Sequence, residues 1–102
     1  MKPCNCLQEL IEQIEDQRLP FTEEVITDKV KIRHFDSSYP EYLYRWHWDE
    51  ESRLIEALNP NDWKFQFDNE LPIPLDREIY IEKGRIHRLI KGTTSLSIKI
   101  TA

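Results

Sequence analysis

Two histidines hold most of the chemistry this chain can offer. His47 stands between tryptophans in Tyr42-Leu43-Tyr44-Arg45-Trp46-His47-Trp48-Asp49, and His87 follows in Lys83-Gly84-Arg85-Ile86-His87-Arg88. Alternate side chains of an extended segment share a face, so Arg45, His47 and Asp49 are expected to point the same way. Two imidazoles and a carboxylate are three of the groups that a divalent metal takes. Arg53 lies in the next turn of sequence and brings a fixed cation. Guanidinium has no lone pair for a metal, and its charge repels one. Its planar fork suits a carboxylate of the chain itself, Asp49 or Glu51, or the carboxylate or phosphate of a bound ligand.

Composition narrows the field. The 102 residues make one domain, 39% hydrophobic and 32% charged. A domain of this size buries roughly 60–70% of the surface its unfolded chain exposes. The net charge of −5 argues against a nucleic-acid partner, which needs a dense basic face. Lys83, Arg85, Arg88 and Lys91 cluster in sequence and read as a solvated loop and strand edge. No apolar run makes a signal peptide or a membrane span, so a cytoplasmic protein without a membrane partner is expected. Cys4 and Cys6 are too close for an unstrained disulfide and read as free thiols. A Cys-x-Cys metal pair would need two further ligands nearby, and none follows. No Ser-His-Asp order or reactive-cysteine context is present, and two glycines in all cannot build a phosphate-cradling loop.

The elements that must position the histidines are mostly strands. Leu7, Leu10, Ile11 and Ile14 have helical spacing, so one α-helix is expected over 7–17 and stops at Pro20. Residues 1–20 would form this helix and its linker, packed on a β-barrel of residues 21–102. Val30, Ile32 and His34 alternate with Lys29, Lys31 and Arg33. Tyr42 to Trp48 alternates an aromatic face of Tyr42, Tyr44, Trp46 and Trp48 with a second face that holds His47. That aromatic face reads as core or as a subunit interface. Strands are also expected over 53–58, 63–67, 78–81, 86–90 and 96–100, with an edge or loop at the proline-rich 71–75. Turn clusters at 36–40, 59–62, 68–70, 83–84 and 91–94 separate them. Seven or eight short strands at this spacing predict a sandwich or barrel.

Residues 40–100 resemble the cupin superfamily. The first cupin motif runs His-x-His, three or four residues, then Glu; its counterpart here is His47-Trp48-Asp49-Glu50-Glu51-Ser52-Arg53, running on to Pro60. The second motif has an acidic turn, a strand, a Gly turn and then His; here it reads Leu75-Asp76-Arg77-Glu78-Ile79-Tyr80-Ile81-Glu82-Lys83-Gly84-Arg85-Ile86-His87. The resemblance implies a mostly β, jelly-roll (cupin) barrel that dimerises through its sheets, a homodimer. It also implies a divalent metal (Fe, Mn, Ni or Zn) at the positions of His47, Asp49, Arg53 and His87. Asp49 can replace a histidine ligand, whereas Arg53 stands where the glutamate belongs. Glu51 could take over if the bend folds inward.

Three functions follow as expectations. The first is a pocket for a small polar or anionic ligand, lined by Arg45, His47, Asp49, Arg53, Gln66 and His87, with or without a metal. The second is a metal-dependent enzyme of the oxygenase or isomerase type, with His47, Asp49 or Glu51, and His87 around the ion. The third is a structural or interaction protein whose pocket is filled by its own side chains.

Overall fold

The computed structural model describes residues 19–102, and the helix expected over 7–17 lies outside them. Eight strands follow in order: β1 (Phe21–Val25), β2 (Val30–Phe35), β3 (Arg53–Ala57), β4 (Lys64–Phe67), β5 (Ile73–Pro74), β6 (Ile79–Ile81), β7 (His87–Ile90) and β8 (Leu96–Thr101). They form two antiparallel sheets, one ordered β1-β2-β8-β3-β6 and one ordered β5-β4-β7. The ladders do not join the sheets into one closed barrel, so the closed barrel of the sequence reading becomes a double-sheet β-fold.

The inner faces follow from register. Arg33 pairs with Ile98, Phe35 with Leu96, Ile55 with Ile100 and Arg53 with Ile81. Paired residues project to the same side. Each of these pairs therefore faces the second sheet, where Phe65 pairs with Leu89 and Phe67 with His87. The core between the sheets contains Phe35, Tyr44, Ile55, Trp63, Phe65, Leu75, Ile79, Ile81, Leu96, Ile98 and Ile100. Trp63 is almost fully buried and donates its indole N–H to Thr94 O at 2.7 Å. Burying so large an apolar group without stranding its polar handle is what makes Trp63 a good anchor.

In β2 the inner face carries Arg33 and Phe35, whereas Ile32 and the exposed His34 lie on the outer face, where His34 bonds Ser97 and Glu24. One expected strand is corrected: the stretch Tyr42–Trp48 is not a strand. A short 3₁₀ turn occupies Glu41–Leu43 after the extended Pro40, and only His47 pairs with a sheet, in a single bridge to His87. The four aromatics therefore do not share a face. Tyr44 enters the core, packing its ring 5.3 Å from that of Trp63 and donating its hydroxyl to Asp36 O at 3.0 Å. Tyr42, Trp46 and Trp48 are exposed, and Trp46 carries the Arg88 guanidinium 4.4 Å above its ring.

Candidate functional site

The site is built where the chain passes the free side of β7. His47 and His87 exchange two backbone hydrogen bonds, His47 N to His87 O at 3.0 Å and His87 N to His47 O at 2.9 Å. That exchange makes them a directly opposed antiparallel pair, so both rings project from one face. Their centroids lie 4.3 Å apart. His87 is buried and stacks on Phe65 at 5.5 Å, whereas His47 is exposed. Two residues past His47, Asp49 returns to the same face. Its carbonyl is held by Gly84 N at 2.8 Å. Gly84 can make that bond because its φ is +79°, a left-handed value that glycine adopts without steric cost.

Each imidazole has its orientation fixed by the backbone two residues earlier. His47 Nδ1 lies 2.9 Å from Arg45 O, and His87 Nδ1 lies 2.7 Å from Arg85 O. A carbonyl only accepts, so Nδ1 carries the proton in both rings and Nε2 is left with its lone pair. Burial pushes the pKa of His87 below its ordinary value. The Arg85 carbonyl, the larger opposing influence, partly offsets this, and the Asp49 charge does so to a lesser extent. Around neutral pH His87 is therefore uncharged. Its Nε2 lies 3.4 Å from Asp49 Oδ2, and that oxygen is buried without a hydrogen-bond partner among the described residues. Two acceptors thus face each other with no hydrogen between them. An electropositive guest suits such a gap. Bonds of about 2.1 Å in a tetrahedral set separate two ligand atoms by about 3.4 Å, which matches the observed spacing. Donor atoms of His47, Asp49 and His87 all lie within 4.8 Å of one another, the one such group of three among the described residues.

Arg53 stands beside this triad with its side chain 15% exposed. Its Nη1 is 3.6 Å from Asp49 Oδ1 and its Nη2 is 3.9 Å from Glu51 Oε1. Both distances are ion pairs but too long for hydrogen bonds. Its Nε is buried and has no acceptor among the described residues. The internal pairing expected from sequence is therefore present in charge and incomplete in hydrogen bonding.

A cavity of about 580 Å³ opens between the sheets above these residues. Arg45, His47, Asp49, Arg53 and His87, all expected in a pocket, line it. Two expected residues do not. Gln66 belongs to the outer set of β4, opposite Arg88, where it accepts from Arg88 Nε at 3.0 Å and donates to Glu70 O at 2.8 Å. Its alternation with Phe65 and Phe67 already carried that signal. Glu51 stays in the bend, exposed, and meets Arg53 rather than the histidines. Sequence reasoning missed Arg33 and Tyr44, which also line the cavity. Arg33 is held by Glu23 Oε2 at 2.7 Å and lies 4.3 Å over the Phe21 ring. Burial pushes the Tyr44 phenol up to about 12, so it stays protonated.

Comparison with known proteins adds information on the fold. No family model matches the chain, and no curated protein matches it significantly. Among solved structures, the chain is similar to the crystal structure of protein NMB1881 from Neisseria meningitidis, at 14% identity and a TM-score of 0.52. The match covers 91% of this chain and 96% of that one. At such low identity the likeness speaks for the fold alone.

Proposed function

We propose that the protein is a small-molecule binding protein whose pocket is centred on a divalent metal held by His47, Asp49 and His87. One observation carries this reading: His87 Nε2 and the unpartnered Asp49 Oδ2 face each other at 3.4 Å as two acceptors. Two imidazoles and one carboxylate suit Fe, Mn, Ni or Zn, with coordination positions left open toward the cavity. Such an ion would supply a Lewis acid that polarises an oxygen of the bound molecule. The chain's own part is to fix both imidazole tautomers through Arg45 O and Arg85 O and to hold Asp49 through Gly84. Backbone partners of this kind orient ligands and raise their basicity.

The cupin resemblance belongs to the same reading. It accounts for a double-sheet fold, taken as a jelly roll, in which the residue pair from two separated motifs meets at one end of a cavity. It also extends the reading toward metal-dependent enzymes of the oxygenase or isomerase type. Arg53 favours a second, metal-free reading, because its cation lies 3.6 Å from Asp49 and disfavours a second positive charge there.

Titration calorimetry and metal analysis decide between the two. The first reading expects one equivalent of zinc or manganese per chain, lost in His47→Ala and in Asp49→Ala. Absence of stoichiometric binding to a folded wild type, or unchanged binding in both variants, sinks it.

A further inference from the structure

We propose that the ligand of this cavity is a small monocarboxylate with an apolar body, its carboxylate held by Arg53 and its body lying between the two sheets. The proposal names the ligand class for the pocket just described and rests on that reading only for the location, not for the metal.

The electrostatics of the lining point to an anion. Three guanidinium groups, those of Arg33, Arg45 and Arg53, line the cavity. The three cations are not equivalent. Arg33 is occupied by Glu23 and stacked on Phe21, and Arg45 gives its Nε to Tyr42 O at 3.1 Å. Arg53 alone among them has a buried Nε without an acceptor among the described residues. Its neighbours Asp49 and Glu51 balance its charge but stand at 3.6 and 3.9 Å. A buried donor left unsatisfied is costly, and a guanidinium edge offers two parallel N–H groups matched to a carboxylate.

The walls restrict the rest of the ligand. Two thirds of the residues lining the cavity are apolar or aromatic, including Phe35, Ile55, Phe65 and Ile98 from the two inner faces. A sugar would bring many hydroxyls to walls that cannot bond them, and a phosphate dianion would bring a second charge to desolvate. A carboxylate on a ring or branched chain places one charge on one fork and covers the remaining surface with carbon. The volume of about 580 Å³ falls within the range of small-molecule sites.

Phenylbutyrate, phenylbutanol and phenylbutylamine form a matched probe series with one body and three head groups. The test uses the full chain, both zinc-loaded and chelator-treated, followed by thermal shift and calorimetry. Phenylbutyrate should bind and raise the melting temperature in both forms. The alcohol and the amine should bind about tenfold or more weakly, as should glucose and inorganic phosphate. Arg53→Met should weaken phenylbutyrate by about tenfold or more, while Arg53→Lys, which keeps charge but loses the fork, should fall between it and the wild type. Equal binding of the three head groups by the wild type overturns the proposal whether or not the variants fold. Unchanged phenylbutyrate affinity in a folded Arg53→Met also overturns it. Zinc titration of the same samples separates the two ideas: carboxylate selectivity without zinc binding removes the metal and keeps the ligand class, and zinc binding without selectivity does the reverse.

Discussion

His47→Ala is the sharpest probe of the metal site, because the fold depends little on this ligand. His47 is exposed, and among the described residues its side chain makes one hydrogen bond, from Nδ1 to Arg45 O at 2.9 Å. Losing one such bond costs about 1 kcal/mol, which for a domain near this size lowers Tm by about 4–8 °C. The zinc-dependent part is larger. Zinc at about 100 times its Kd stabilises the native state by about 2.7 kcal/mol, or roughly 10–20 °C in the wild type. Removing a ligand should weaken zinc at least as much as the ~100-fold that loss of an outer partner can cost. At the same zinc concentration the variant then gains only about 0.4 kcal/mol, or roughly 2–3 °C. Circular dichroism melts of both proteins, each with zinc and with chelator, read the difference directly. Cys4 and Cys6 should be replaced by serine in both, since thiols of the unfolded chain would compete for zinc. Equal zinc shifts in the variant and the wild type would refute the ligand assignment, and no shift in either would refute the site.

Other predictions follow from particular contacts. A Cβ added at Gly92 would run into Asp62 Oδ1 and lie 2.8 Å from Trp63 Cδ1 and 2.9 Å from the Asp62 carbonyl carbon, so Gly92→Ala should cost about 1–3 kcal/mol in a denaturant melt. Gly84 has open space around it but φ +79°; Gly84→Ala should cost about 1–2 kcal/mol from backbone strain alone and weaken zinc by disturbing the bond that holds Asp49. Gln66→Ala should leave zinc and phenylbutyrate affinities within about twofold of the wild type, as expected for a side chain outside the pocket; a larger loss measured by calorimetry would restore it as a pocket residue. The Thr93 hydroxyl and then the Thr93 amide hold the Asp62 carboxyl below its ordinary 3.8. A depressed carboxyl pKa contributes stability that is present above the unfolded value and lost as pH falls through the folded one. Asp62→Asn should therefore flatten the acid side of the Tm–pH curve below about pH 4, and an unchanged slope there would contradict the assignment.

Several elements were readable from local pattern. The alternation Trp63-Phe65-Phe67 and Leu96-Ile98-Ile100 marked the inner faces of β4 and β8, since a half-buried strand must alternate. Turn residues bounded most strands correctly, and the two prolines of 71–75 reduced that stretch to the two-residue edge strand β5. Where both phases of an alternation are mixed, the pattern loses its meaning. In β2, Arg33 and Lys31 share the inner phase with Phe35, and Val30, Ile32 and His34 take the outer one. Arg33 is tolerated inside because Glu23 and the Phe21 ring receive it, partners supplied by a neighbouring strand. The same limit applies to Tyr42–Trp48. Its residues favour strand, but a strand needs an edge to pair with, and β7 offers this segment one bridge only.

The sequence by itself determined a small, mostly β domain and the residue types of the site, His47-x-Asp49 and a second histidine at 87, because composition and period-two spacing are local properties. The tertiary structure decided what those residues can do. Only the pairing of His47 with His87 sets their rings on one face, and only the backbone carbonyls at Arg45 and Arg85 leave both Nε2 atoms free. Burial takes water away from the Asp49 Oδ2 and the Arg53 Nε, and neither has a hydrogen-bond partner among the described residues. Each of these depends on contacts between residues distant in the chain, whose free energies come from burial and hydrogen bonding that no local pattern encodes.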